Sequence, residues 1–166
     1  NLFLGQELFG KTVGIVGMGR IGKAFARRCL AFGLKVLYTG PKPLPRADEA
    51  LLNAAFLPLE ELLPLSDFLS LHLPLTPESR HLLDRRRIGL MKPGSILINT
   101  SRGPIVDEEA LADSLLEGRL WGAGLDVFEQ EPQIHPKLLL AERTVLLPHI
   151  GSATEETRTR MAWMTV

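Results

Sequence analysis

The chain has 166 residues, 45% of them hydrophobic and 23% charged, a composition typical of one globular domain with a substantial core. Its 19 basic residues balance 19 acidic ones, so the net charge gives no indication of binding to nucleic acid or to an anionic membrane. No apolar run is long enough to span a bilayer. The single cysteine, Cys29, excludes an internal disulfide and suits a reducing compartment, so a cytoplasmic location is expected. The first residue is Asn1 rather than Met, which leaves targeting open.

A glycine-rich turn between a strand and a helix dominates the first part of the chain. Residues 13–16 form an apolar run, and Gly17, Gly19 and Gly22 follow it in Gly-x-Gly-x-x-Gly spacing. Gly17 permits a tight turn, Gly19 lets the backbone approach a pyrophosphate, and Gly22 allows the helix to pack closely on the strand. The free amides at the start of that helix would face the phosphates of a dinucleotide. The coenzyme-binding residues predicted at this turn are Gly17, Gly19, Arg20, Ile21 and Gly22.

The helix after the turn is predicted to end at Gly33 and to bury one stripe of side chains. Ile21, Phe25, Cys29 and Phe32 follow an i, i+4, i+8, i+11 spacing, which would place them on one face. The position of Cys29 on this apolar stripe favours an inert buried thiol over a nucleophile.

The end of the second predicted strand, residues 34–39, bears on the choice of coenzyme. An NAD site carries an Asp or Glu there, which binds the ribose hydroxyls and repels a 2′-phosphate. Thr39 and Gly40 occupy that place here, and Lys42 and Arg46 follow shortly after. A hydroxyl and two cations could hold the extra phosphate, so NADPH is predicted in preference to NADH, with NAD as the alternative. In the other interpretation, Lys42 and Arg46 are ordinary solvated loop charges.

Strand and helix patterns alternate along the rest of the chain. This alternation predicts an α/β fold: a Rossmann-like, doubly wound parallel sheet of about seven strands in three layers, with residues 1–166 as one domain. Residues 1–11 are interpreted as a short helix or lead-in. The further strands are predicted at 55–57, 67–73, 95–99, 123–127 and 144–147. The further helices are predicted at 48–53, 59–65, 79–88, from an N-cap at Asp107 to Gly118, and from about 153 to the end at 166.

The turn after the fourth strand is expected to lie over the coenzyme, at the switch point of the sheet. Pro74 and Thr76 are therefore candidates for coenzyme contact. The equal alternative for Thr76 is a proline-rich turn that needs no ligand. His72 and His81 are interpreted as structural residues.

Four residues with side chains suited to catalysis fall at or just beyond the carboxyl ends of predicted strands. They are Arg102, Asp126, Glu131 and His149. Such positions meet at one rim of a parallel sheet. Reduction of a ketone requires a proton donor and a neighbouring cation. A protonated His149 could give the proton, Glu131 could hold its imidazole and raise its pKa, and Arg102 could bind a carboxylate. Asp126 is suited to accept from the nicotinamide carboxamide.

Simpler roles exist for each of these residues: a surface cation for Arg102, loop capping for Asp126 and Glu131, and a satisfied histidine beside a proline for His149. Thr100 and Gly151, in the same loops, complete the predicted coenzyme site. No metal site is predicted.

Residues 17–22, 99–107, 124–132 and 148–154 together resemble the D-isomer-specific 2-hydroxyacid dehydrogenases. Residues 38–40 and 148–154 are most similar to the glyoxylate and hydroxypyruvate reductases of that family, which prefer NADPH. The resemblance implies Arg102, Glu131 and His149 as the catalytic group. It also implies reduction of a small 2-oxo acid, glyoxylate or hydroxypyruvate, to glycolate or D-glycerate. Pro41 departs from the subgroup, where a cation is expected, and this puts Lys42 and Arg46 in question as phosphate ligands.

The resemblance further implies that residues 1–166 are the coenzyme domain alone, without the substrate domain that forms the other wall of the cleft. The chain by itself is therefore expected to bind coenzyme but to turn over poorly, and to pair as a homodimer. A second hypothesis is a regulatory module like the co-repressors of this family, which sense NAD(H) and dimerise. The presence of Arg102, Glu131 and His149 favours the enzyme, and their order argues against another class of dehydrogenase.

Overall fold

A computed structural model describes residues 4–164 of the chain. Seven strands form one parallel sheet in the order β3-β2-β1-β4-β5-β6-β7. The fold predicted from the alternating pattern is confirmed. The strands are β1 Thr12–Val16, β2 Lys35–Thr39, β3 Ala54–Phe56, β4 Phe68–Leu71, β5 Ile96–Asn99, β6 Gly122–Leu125 and β7 Thr144–Leu146.

Six α-helices and three short 3₁₀ helices lie between the described strands or after the last of them. The α-helices are α1 Arg20–Ala31, α2 Arg46–Leu52, α3 Leu59–Leu62, α4 Arg85–Leu90, α5 Glu108–Leu116 and α6 Glu155–Trp163. The 3₁₀ helices are Leu63–Leu65, Gly103–Ile105 and Pro136–Leu140.

The sheet separates two hydrophobic cores, which makes three layers. Alternate residues of a strand point to opposite faces, and in β1 the side chains of Val13 and Ile15 enter one core while Val16 enters the other. The first core joins the sheet to α1 and α2, and the second joins it to α3, α4 and α5. Both faces of the central strands are therefore buried, which explains why they read as continuous apolar runs.

The stripe predicted on α1 is confirmed at Phe25 and Cys29, which pack into the core, and wrong at Ile21 and Phe32. Gly22, Ala26 and Cys29 are the buried residues of this helix, at i, i+4 and i+7, whereas Ile21 is 70% exposed and Phe32 is 62% exposed. The buried face is thus rotated from the predicted one, because small residues bring the helix close to the sheet. The interpretation of Cys29 as a buried thiol is confirmed, and burial raises its pKa to about 11.

The helix predicted over 79–88 is also wrong at its start. His81 has a left-handed backbone with φ of 47°, and Leu83 pairs with Val106 in an isolated bridge. The helix α4 begins only after Asp84, whose carboxylate accepts a hydrogen bond from the amide of Arg87 at 2.8 Å. A chain with these two irregular residues cannot continue a helix through 79–84.

The remaining predictions differ from the structure by a few residues. Asp107 caps α5 through the amide of Ala110, as predicted. The second helix starts at Arg46 rather than Asp48, and the segment 59–65 divides into α3 and a 3₁₀ turn. The helix predicted from residue 153 ends at Trp163, and its predicted continuation over 165–166 lies outside the described residues. Residues 4–11 form an irregular lead-in with a turn, and the prediction for 1–3 also lies outside the described part.

The strand order places β1 between β2 and β4. The chain builds the sheet outward from β1 in one direction through β2 and β3 and in the other through β4 to β7. A crevice therefore opens at the carboxyl ends of β1 and β4. The Gly17 turn follows β1, and the segment from His72 to Thr76 follows β4. This crevice is where the sequence predicts the coenzyme.

Candidate active site

The turn after β1 has the conformation that its glycines permit. Gly17 has φ of 98°, and a Cβ there would lie 2.5 Å from the carbonyl oxygen of His72. Gly19 is the residue before the first turn of α1 and faces open space, with no atom within 4 Å of the place a Cβ would take. At Gly22 a Cβ would meet the Gly17 carbonyl, so the predicted close packing is seen. Among residues 4–164 no side chain caps α1, so its first amides are free to bind an anion.

A cleft of about 1060 Å³ opens beside this turn. Its walls come from the start of α1, the segment after β4 and the segment after β5, so they meet at the carboxyl edge of the sheet. Six of the residues predicted for the site line it: Gly19, Arg20, Ile21, Pro74, Thr100 and Arg102. The open space at Gly19, the uncapped helix and the cationic wall fit a dinucleotide with a pyrophosphate.

The adenosine side of the predicted site is shaped by Tyr38. Its buried hydroxyl accepts from the amide of Leu44 at 2.6 Å and donates to the carboxylate of Glu49 at 2.7 Å, which fixes the loop between them. Lys42 is exposed in that loop and Arg46 is exposed at the start of α2, and no ion pair within residues 4–164 engages either cation. Phosphate binding by Lys42 and Arg46 stays a prediction.

Thr39 ends β2 and is 8% exposed, with its carbonyl accepting from the amide of Gly17 at 3.0 Å. Thr76 belongs to a compact turn: its amide donates to the Ser79 hydroxyl at 2.7 Å, and its own hydroxyl accepts from the Ser79 amide at 3.3 Å. Thr76 does not line the cleft. These contacts are those of the turn interpretation, and coenzyme contact by Thr76 stays a prediction.

His149 and Glu131 meet at the rim, as the sequence predicts. The Nδ1 atom of His149 lies 2.9 Å from Oε2 of Glu131, and the side chains are 48% and 38% exposed. The hydrogen bond with His149 lowers the pKa of Glu131 below its ordinary value, and the Phe128 amide and the cation of Arg102 lower it further. A carboxylate held ionised beside an imidazole stabilises the protonated ring and fixes its orientation.

Arg102 reaches the cleft from a loop that a buried amide holds in place. Asn99, 1% exposed at the end of β5, donates from Nδ2 to the Arg102 carbonyl at 3.0 Å. Its Oδ1 accepts from the amide and the hydroxyl of Ser101, both at 3.0 Å. The guanidinium of Arg102 is exposed and lines the cleft. Within the part of the chain that the structure describes it makes one hydrogen bond, to the Ser101 carbonyl, which leaves four of its five donors free.

Asp126 is buried and serves the turn that carries His149. Its two carboxylate oxygens accept from the amides of Ile150 and Gly151, at 2.8 and 2.7 Å. These are the contacts of the loop-capping interpretation. Coenzyme contact by Asp126 or Gly151 stays a prediction.

Other residues of the site were not predicted. His72 lines the cleft, its Nε2 lies 2.9 Å from the hydroxyl of Ser70, and its ring packs on Phe25 at a centroid distance of 4.9 Å. Its contacts agree with a structural role, yet its position after β4 could have indicated the cleft as well. Side chains of α1 further from the turn, Ala24 and Arg28, also line the cleft, and no motif identifies them.

Within residues 4–164 no group of three or more His, Cys, Asp or Glu side chains is arranged to hold a metal ion. No helix in that part of the chain is long and apolar enough to cross a membrane.

Residues 1–151 match the family described as D-isomer specific 2-hydroxyacid dehydrogenase, NAD binding domain. The chain belongs to this dehydrogenase family. The glyoxylate reductase of Thermococcus onnurineus is 50% identical to it over 161 residues, which are 97% of this chain and 48% of that protein. The chain therefore spans about half the length of the relatives that it matches.

Solved structures of the dehydrogenase family share the fold. The structure of a glyoxylate reductase from Paecilomyes thermophila superposes with a TM-score of 0.91 at 43% identity, over 96% of this chain and 48% of that one. That of D-lactate dehydrogenase from Aquifex aeolicus, complexed with NAD and lactic acid, gives 0.89 at 36% identity, over 99% and 54%. The chain thus has the fold of the NAD-binding domain of this family, and its residues 1–151 match the model of that domain.

Proposed function

We propose that the protein containing this chain reduces a small 2-oxo acid, glyoxylate or hydroxypyruvate, to the D-2-hydroxy acid with NADPH. The observation that carries this proposal is the pair of His149 and Glu131, 2.9 Å apart at the rim where Arg102 lines the cleft. The similarity to glyoxylate reductases supports the same reaction.

The three side chains suit the needs of a carbonyl that becomes an alcohol. When bound, the coenzyme supplies the hydride. Arg102 offers free guanidinium donors to the substrate carboxylate, a planar group that matches its fork. The Nδ1 atom of His149 is engaged by Glu131, so Nε2 is left to give the proton that the carbonyl oxygen requires. The residues 1–166 supply these groups as the coenzyme domain, and a separate substrate domain is expected to close the cleft and exclude water.

The reaction is tested by mixing the intact protein with NADPH and glyoxylate or hydroxypyruvate and following loss of the reduced nicotinamide absorbance. We expect turnover in the intact protein, and little or none with residues 1–166 alone. Replacement of His149 by Gln should lower kcat by about 100-fold or more, since a positioned general acid contributes that much. An intact protein that binds coenzyme but reduces no small 2-oxo acid would support the regulatory alternative instead.

The preference for NADPH rests on Thr39 at the end of β2 and on the exposed cations Lys42 and Arg46. Calorimetric titration with NADPH and with NADH, side by side, tests it. We expect tighter binding of NADPH, with a loss of about 10-fold when Lys42 or Arg46 becomes Gln, because a charge-assisted hydrogen bond contributes about 1.5 kcal/mol or more. The matched control is Lys35→Gln, because Lys35 is an exposed cation at the start of β2, at the opposite end of that strand from Thr39. Tighter binding of NADH would overturn the preference.

Pairing of two copies and a reducing, cytoplasmic location are further parts of the proposal. Leu139, Leu140 and Val145 lie near or on the edge strand β7 and are 63%, 68% and 60% exposed, which is an apolar surface available for pairing. Light scattering of the intact protein after size exclusion would give the oligomeric state, and a monomer would contradict the homodimer.

A further inference from the structure

Glu108 is a charged residue placed where the fold does not require one. It is the first residue of α5, yet it is only 5% exposed, whereas acids at helix starts are usually solvated. The cap of α5 is already made by Asp107, whose carboxylate accepts from the Ala110 amide at 2.9 Å. Burial raises the pKa of Glu108, and the amides of Glu129 and His135 oppose that rise. Burial of a carboxylate costs free energy unless hydrogen bonds compensate for the lost water, so the partners of Glu108 indicate its role.

The carboxylate of Glu108 makes a short hydrogen bond to the backbone amide of Glu129. The same segment is held at two further points. The backbone of Phe128 and Glu129 packs directly on Gly103, where a Cβ would overlap the Phe128 carbonyl. The carboxylate of Glu129 binds outward to Nε2 of His81 at 2.7 Å and to Arg80 at 3.1 Å. Segment 128–131 is therefore held by the carboxylate of Glu108, by the loop that begins with Arg102 and by the side chains of Arg80 and His81.

This segment ends at Glu131. The Oε1 atom of Glu131 accepts from the amide of Phe128 at 3.1 Å, and its Oε2 atom lies 2.9 Å from Nδ1 of His149. The amide nitrogens of Phe128 and Glu129 are separated only by the backbone of Phe128, so an anchor on the Glu129 amide limits the positions that the Phe128 amide can take. A continuous series of hydrogen bonds and the backbone of this one residue thus connects the buried carboxylate of Glu108 to the imidazole of His149.

We propose that Glu108 is a positioning residue for the reduction: by binding the Glu129 amide, it holds segment 128–131 so that Glu131 orients His149. This inference rests on the proposed function and adds to it a residue that touches neither substrate nor coenzyme. The positioning role of Glu108 depends on an acceptor atom at a fixed distance from the backbone. A role in favouring the start of α5 would instead depend on negative charge near the helix N-terminus. The two roles therefore respond in opposite ways to Gln and to Asp.

Two conservative variants of the intact protein separate these roles. Glu108→Gln removes the charge and keeps one acceptor oxygen at the same reach for the Glu129 amide, while its NH₂ group faces the His135 amide. Glu108→Asp keeps the charge and is one methylene too short to reach the Glu129 amide. For positioning, we expect E108Q to keep kcat within about 3-fold and E108D to lose about 10- to 100-fold, since displacement of a catalytic group by about 1 Å has effects of that size. Glu109→Gln, at the exposed next position and paired to Lys137, is the control and should change kcat by less than 2-fold, as expected for a surface ion pair.

The pH profile of kcat/KM shows whether the effect passes through Glu131. E108D should move the alkaline limb in the same direction as Glu131→Gln, and E108D combined with E131Q should add no further shift. Independent shifts would overturn the proposal. So would an E108D protein that loses thermal stability but keeps the wild-type kcat and pH profile, or an E108Q protein as impaired as E108D.

A measurement without turnover separates failure of this inference from failure of the proposed function. In nuclear magnetic resonance spectra of the intact protein at one fixed pH, the chemical shifts of the His149 ring should be displaced in E108D, as in E131Q, and be unchanged in E108Q. If the wild-type protein reduces no 2-oxo acid, the proposed function fails while these spectra still decide the connection. Unchanged His149 chemical shifts in a folded E108D protein would overturn the positioning role.

Discussion

The Oδ2 atom of Asp126 lies 2.7 Å from the amide nitrogen of Gly151, and the Oδ1 atom of the same buried carboxylate accepts from the next amide back along the chain. Asp126 directly follows β6, whereas His149 stands just before the two amides and has a left-handed backbone with φ of 55°. A non-glycine residue in that conformation requires support from its surroundings. The carboxylate provides that support, so it determines where the imidazole stands.

Asp126→Asn should reduce kcat/KM for the 2-oxo acid by about 10-fold or more. An amide offers one acceptor oxygen, so its NH₂ group would face one of the two backbone donors. Steady-state kinetics of the intact protein checks this. Asp113→Asn is the control, because Asp113 forms surface ion pairs with Arg85 and Lys137 away from this turn. Equal kinetics for both variants would refute the role of Asp126.

Arg102→Ala should raise the KM for the 2-oxo acid by about 100-fold, because a charge-assisted bidentate contact with the carboxylate is lost. Arg102→Lys should recover only part of it, since an ammonium cannot form the paired contact. Coenzyme affinity, measured by calorimetry, should change little in both variants. If Arg102→Ala left reduction unaffected, the guanidinium would not be the carboxylate anchor.

Gly103→Ala should destabilise the protein and abolish reduction together. An added Cβ would overlap the Phe128 carbonyl, a backbone group that cannot turn aside, so segment 128–131 must move. We expect a loss of about 2 kcal/mol or more in the free energy of unfolding, as for other overpacked sites. The matched control is Gly89→Ala in α4, where a Cβ has nothing within 4 Å and should stabilise the helix by about 0.5–1 kcal/mol. Denaturant unfolding measures both, and a neutral Gly103→Ala variant would contradict the packing described.

The partly buried ring of His72 should make stability depend on pH. Burial lowers its pKa from 6.5 to about 4, so between these values the unfolded chain binds a proton that the folded protein does not. The contribution is complete above pH 6.5 and is lost as the pH falls toward 4, and it amounts to at most about 3 kcal/mol. His72→Gln should flatten the dependence of the unfolding midpoint in this range. Parallel curves for the two proteins would contradict this prediction.

The fold and the rim of the site could be predicted because each depends on a local pattern. A strand, a glycine turn and a helix give a parallel sheet, and residues placed after strands meet at its carboxyl edge. Glu131 and His149 meet for that reason. The α1 stripe failed at Ile21 and Phe32, because apolar spacing alone does not show that the small residues Gly22 and Ala26 allow the closest approach.

The contacts that hold segment 128–131 in place could not be predicted from local patterns. Glu108 reads as an ordinary first-turn acid, because such acids are common on solvated helices and burial depends on segment 128–131. His81 also stands in a segment with a helical pattern, and its positive φ comes with distant contacts to Pro104 and Glu129. Contacts over 20 or more residues along the chain leave no periodic signal.

The edge strand β7 is only three residues long, and no strand among residues 4–164 pairs with its outer side. A sheet frays from its borders, where opening costs less than global unfolding. His149 is three residues beyond β7, so local opening of this border would carry the proposed proton donor away while the rest of the sheet stays intact. Amide hydrogen exchange should therefore be faster in β7 than in β1 or β4, and on warming catalysis should fade before the domain melts. The working temperature of such a protein would be limited by one short strand and by the hydrogen bonds of Asp126 to the amides of Ile150 and Gly151, rather than by the two cores.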